Sequence, residues 1–147
     1  MITTLLKQIL VDSDCTLVLY ESSQLANLLT DQSNQIDKIG LILQLDTVVL
    51  ETKANALPEH YPNLVIEILK QVRLEDTADN NEIAFQECLD TCKEIIVRLI
   101  ASVQVKRFPS PSLTKILETK YDANVVGWSM PLDLYYLHNE GKDPCLP

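Results

Sequence analysis

The stretch Leu64–Asp76, LVIEILKQVRLED, decides the fold. Leu64, Ile66, Ile68, Val72 and Leu74 alternate with Val65, Glu67, Leu69, Gln71 and Arg73. That period of two is the pattern of a strand with one face on a core and the other largely wet. Lys70 is the misfit on the apolar side, with a stem able to snorkel at an edge. The period then changes. Across DTADNNEIAFQECLDTCKEIIVRLIASV, Asp76–Val103, the residues Phe85, Cys88, Leu89, Cys92, Ile95, Ile96, Leu99 and Val103 form one helical stripe. Asp79, Asn80 or Asn81 can cap this helix, with Glu82 in its first turn.

Upstream, KIGLILQLDTVVLE (Lys38–Glu51) reads as one strand, apolar on both faces in its first half as a central strand would be. TKANALPEHYPN (Thr52–Asn63) breaks it, and Pro58 and Pro62 bracket Glu59, His60 and Tyr61 in a loop. CTLVLY (Cys15–Tyr20) is a short buried strand. ITTLLKQILV (Ile2–Val11) is an amphipathic helix carrying Leu5, Leu6, Ile9 and Leu10 on one side. After the strand, Gln24–Leu29 fits a brief helical turn.

Downstream, KRFPSPS (Lys106–Ser112) ends the long helix with two prolines. LTKILETKY (Leu113–Tyr121) reads as a strand and Asp122–Gly127 as a turn or bulge. Trp128, Met130, Leu132, Leu134 and Tyr136 then face one way; Ser129, Pro131, Asp133 and Tyr135 face the other. Adjacency makes these two strands a hairpin, and Pro131 demotes its strand to an edge, at least locally. The residues from Asn139 to Pro147 form a tail. The expected fold is α+β: an antiparallel sheet of about five strands with the N-terminal helix and the long helix on one face. The 147 residues suit one domain, 1–147, ending in that short tail.

Hydrophobic residues make up 46% and charged residues 22%, a globular balance. No apolar run is long enough to span a bilayer, and the N-terminus reads as a mature start without a signal peptide. The net charge of −9 disfavours a grip on nucleic acid, which needs clustered Lys and Arg. It suits instead a surface along which DNA slides without sticking. Cys15, Cys88, Cys92 and Cys145 are expected as free thiols packed in the core. The two histidines, His60 and His138, sit in no nucleophile frame, and there is no phosphate loop or nucleotide fingerprint. The expectation is a protein without catalytic residues, cofactor or metal. Its candidate contact residues are Pro58, His60 and Tyr61 in the loop, Tyr121, Asp122 and Asn124 in the turn, and Pro131, Asp133 and Tyr135 on the last strand. For His60 the plainer reading is an exposed loop histidine; for Trp128 and Tyr136 it is core packing.

The order of elements and the ribbon YDANVVGWSMPLDLYYL (Tyr121–Leu137) resemble the tail-terminator and tail-completion proteins of tailed bacteriophages. A pattern Y-D-x-N-x-x-G before an alternating strand, here Tyr121, Asp122, Asn124 and Gly127, is similar to small virion proteins of crAss-like phages. Many of these carry a Cys just after the strand, to which Cys145 could correspond. Pro131 and the loop Thr52–Asn63 depart from that pattern. The resemblance implies a structural virion protein, made in the host cytoplasm, that joins copies of itself in a six- or twelve-fold ring at the head-tail junction or tail end. Its other partners would be neck, portal-associated or tail proteins and passing DNA, held without specific binding; no membrane is implied. The rival reading is a small acidic adaptor or inhibitor, of the immunity or antidefence type, that binds one protein partner.

Overall fold

A computed structural model describes residues 2–21, 38–52, 57–72, 78–106, 109–116 and 125–137. Two strands organise it: β4 (Glu59–Gln71) and β7 (Val125–Tyr136) run antiparallel along their whole length, from Glu59 opposite Tyr136 to Gln71 opposite Val125. On the outer side of β4 lie β2 (Ile39–Leu43), opposite Leu69–Val65, and β3 (Val49–Leu50), opposite His60–Glu59. On the outer side of β7 lie β6 (Thr114–Ile116), opposite Ser129–Gly127, and β5 (Val105–Lys106), opposite Tyr136–Tyr135. Beyond β2, β1 (Leu17–Leu19) closes that side of the sheet. The helices are α1 (Ile2–Asp12) and α2 (Ala78–Ala101). The class is α+β, as expected, with a mixed sheet curled into a half-barrel.

The mixture is a correction. β1 pairs parallel to β2, Leu17 with Ile39, so the sheet is not purely antiparallel. Residues 20–38 supply the crossover that a parallel pair requires. The stretch from Lys38 to Glu51 is likewise not one strand. Gln44 turns the backbone to a φ of 61°, and β2 and β3 follow as two pieces along the same side of β4. β5 and β6 relate to β7 in the same way. Residues 107–113, seven in all, cover the length of residues 130–134, five in all. Pro109 and Pro111 lie in that surplus and have no N–H to give a ladder. The seven strands therefore trace five lines.

The interruptions share one level. Residues 44–48 stand opposite 61–64, Pro62 and Asn63 bulge against Asp133, and residues 107–113 pass beside 130–134. An extra residue in one strand bends it and increases its twist. Aligned across neighbouring lines, these breaks form a crease. Pro131 sits on it, opposite Val65. β7 has strands on both sides, so it is an inner strand over most of its length; the edge that Pro131 suggests is local, at the level where the outer line has no pairing among the described residues. The proline is tolerated because the outer line loses its pairing at this level.

The helices cover one face. Leu6, Ile9 and Leu10 of α1 and Cys88, Cys92, Ile95 and Leu99 of α2 pack on Ile42, Leu64, Ile66, Ile68, Met130, Leu132, Leu134 and Tyr136. Trp128 donates its indole N–H to the Phe85 carbonyl at 2.9 Å and meets the Phe85 ring edge-on. Trp128 and Tyr136 are thus core residues. Lys70 snorkels across this face to an ion pair with Glu87 of α2. Burial pushes the Cys15, Cys88 and Cys92 thiols up to about 12, and all three are free, as expected. The other face is not the wet one the alternation of Leu64–Asp76 suggested. Ile39, Leu41, Leu69, Ile116 and Val125 form a second buried cluster there, and Glu67 is only 1% exposed. Helix α2 starts at Ala78, so Asp79, Asn80 and Asn81 lie inside its first turn instead of capping it. The segment Gln24–Leu29, Cys145 and the tail from Asn139 lie outside the described residues.

Gly127 belongs to β7 and not to the turn before it. A methyl group there would overlap the Ile68 carbonyl oxygen and come within 2.9 Å of the Leu69 Cα, both backbone of β4. At Gly40 the overlap would be with the Leu10 side-chain end, which can move. Denaturant unfolding of the two alanine variants should therefore separate them. Gly127→Ala should cost at least about 3 kcal/mol and Gly40→Ala about 1 kcal/mol. Equal losses would mean that β4 and β7 have room to part.

Candidate interaction surface

The lower end of the sheet, below the crease, gathers five of the nine candidate contact residues. His60 lies directly opposite Tyr135, and their rings stack with centroids 4.2 Å apart and planes within 3°. Its Nε2 shares a hydrogen bond with Asp133 Oδ1, and its Nδ1 lies 3.8 Å from Glu51 Oε1. Pro58 precedes β4, and its carbonyl accepts the Glu51 N–H at 3.1 Å. His60 is therefore a strand residue, not an exposed loop histidine, and the expected loop is strand from Glu59 onward. Its contacts tie the end of β3 to β7 across β4.

Tyr61 points to the opposite face and is buried, so it packs the core instead of meeting a partner. Its hydroxyl donates to Glu59 Oε1 at 2.8 Å, and burial, aided by that carboxylate, drives its pKa far above the ordinary phenol range. Tyr136, next to it, is raised by burial too, and its hydroxyl accepts from Gln104 Nε2 at 3.3 Å. Pro131 is exposed at the crease. Tyr121, Asp122 and Asn124 lie outside the described residues.

The residues missed in the sequence are aliphatic. Among the described residues ten large hydrophobics are exposed, and seven of them (Val48, Val49, Leu50, Leu57, Val97, Ile100 and Val103) lie at this lower end or on the C-terminal part of the helix and link that lead into it. That places the candidate surface here. Val48–Leu50 belong to the second half of the stretch that the sequence suggests is one strand, and Leu50 is 56% exposed. Leu57 is held out with a φ of 44°, a conformation that bulky residues rarely adopt without a reason. Val97 and Ile100, at 63% and 66% exposed, fall off the buried stripe of α2, and that was the available signal. Val103 had been counted in the stripe but lies past the helix end, exposed.

Among the described residues, the partners of His60 are two carboxylates and an aromatic ring. No group of three or more His, Cys, Asp or Glu among them could hold a metal ion, and no helix of the described residues is long and apolar enough to cross a membrane. Comparison with protein-family models, with characterised proteins and with solved structures found no match.

Replacing His60 by Ala removes the stack and the hydrogen bond together. The expected loss is about 1–2 kcal/mol in thermal or chemical unfolding. Amide exchange at Val49–Glu51 should quicken while exchange in β2 stays unchanged. Unaltered exchange at Val49–Glu51 would show that β3 is held without the histidine.

Proposed function

We propose that the chain is a structural subunit that assembles with copies of itself into a ring at a phage head-tail junction or tail end, within the virion. The observation that carries this reading is the concentration of exposed aliphatic side chains at one end of a sheet whose outer strands there have no further strand partner among the described residues. Clustered exposed apolar side chains on a protein with a net charge of −9 mark a surface that a partner covers. Copies of the same chain supply one without a second gene product. The order of elements and the ribbon from Tyr121 to Leu137 support the tail-terminator comparison. The negative charge supports a lumen that lets DNA slide past.

Mass measurement in solution with negative-stain imaging tests the proposal. The expected result is annular particles whose mass is a fixed multiple of 16.6 kDa. A monomer at every concentration up to about 1 mM, where a contact of only about −4 kcal/mol would already show, overturns it. That outcome favours the acidic adaptor that binds a single different partner.

A further inference from the structure

The lower end of the sheet has two lateral sides, and each carries its own apolar patch. At this level the lateral order is β3, β4, β7, β5. On the β3 side stand Val48, Val49, Leu50 and Leu57, all exposed. On the β5 side stand Ile100, near the end of α2, and Val103, within the short link from α2 to β5, both exposed; Val97 lies on the outer face of α2, opposite the buried stripe. Each side ends in a strand with a single strand neighbour among the described residues.

The two sides differ in charge. Asp46 and Glu51 flank the β3 patch. Lys93, one turn before Val97 on the same helix face, and Lys106 of β5 flank the other; both are exposed. A patch bordered by acids suits a patch bordered by bases better than it suits itself.

The strand directions agree. β3 is antiparallel to β4, β4 to β7 and β7 to β5, so β3 and β5 run in opposite directions. Bringing β3 of one copy beside β5 of the next, by rotation about an axis along the strands, gives an antiparallel pair. That pairing is the stronger of the two kinds of ladder. We infer that the occupant of each patch is a second copy of this chain, joined head-to-tail: the β3 side of one subunit on the α2–β5 side of the next. Such a contact uses two different surfaces on every subunit and closes only as a ring. The inference rests on the self-assembly reading above and adds to it which surfaces meet.

Two single variants test it, Leu50→Glu on the β3 side and Ile100→Glu on the α2–β5 side. Both positions are exposed, so the fold should stand, and circular dichroism checks that. Each variant alone should be a monomer by light scattering at concentrations where the unaltered chain assembles fully. Mixed in equal amounts, they should form a dimer of one chain of each kind, because one intact junction remains and nothing can extend from it. Hydrogen exchange of the unaltered assembly should show new protection at both 48–51 and 97–106. The inference is overturned if either variant still assembles alone, or if the mixture stays monomeric. Protection of only one segment also overturns it, since that means a symmetric contact through a single patch. A monomeric unaltered chain overturns the self-assembly reading itself, whereas an assembling chain with variants that fail to complement overturns only the head-to-tail arrangement.

Discussion

Everything in this molecule hangs on the antiparallel pairing of β4 with β7. These strands hold the centre of the sheet, carry the core residues against both helices, and provide the sides on which every other strand except β1 is laid. Gly127 sets how closely they approach, since even a methyl group would meet the backbone of Ile68. The ladder also passes through a bulge at Pro62 and Asn63 without losing its partner. One surplus residue bends the central strand, and the flanking lines answer with breaks of their own at 44–48 and 107–113. The half-barrel curl follows naturally from that alignment.

The crease divides the sheet into two environments. Above it, both faces are buried: the helices cover one, and the other holds Ile39, Leu41, Leu69, Ile116 and Val125. Below it, the face away from the helices holds His60, Asp133 and Tyr135, with Glu51 reaching in from the end of β3. This polar cluster fastens a two-residue strand that has little else to hold it, since Val49 and Leu50 are both exposed. A short strand kept in place by side chains from two neighbours is a firm platform for exposed apolar groups. Without that fastening the same residues would be a loose hydrophobic loop.

Much of the fold was legible because periodicity reports burial directly. The alternation of Leu64–Val72, the stripe from Phe85 to Leu99 and the inward set Trp128–Tyr136 each matched the core. Prolines were harder to read. Pro58 and Pro62 looked like the ends of a loop, yet the strand runs through Pro62 because a bulge absorbs it. Pro131 marks an edge only locally: its strand is inner over most of its length, and the outer line lets go just there. Local sequence gives the missing N–H but not which neighbour would have needed it. The parallel pairing of β1 was invisible for a related reason: orientation depends on a crossover, and a three-residue strand records nothing of it. Of the contact set, His60, Asp133 and Tyr135 came together, while Tyr61 went to the core by the simple alternation of a strand that had been read as a loop.

The prolines between β5 and β6 also limit how this protein can aggregate. A sheet with a long flat free edge invites any exposed strand to add on, and the added strand offers the same invitation to the next, which is the route to fibrils. Here Pro109 and Pro111 stand between two short pairings of the outer line, of two and three residues among the described ones. On the other side, the break at 44–48 separates β2 from β3. Among the described residues, no free template longer than a few residues survives along either of these lines. Apolar side chains can be displayed at high local density without seeding runaway polymerisation, because the backbone beside them is too short to propagate it.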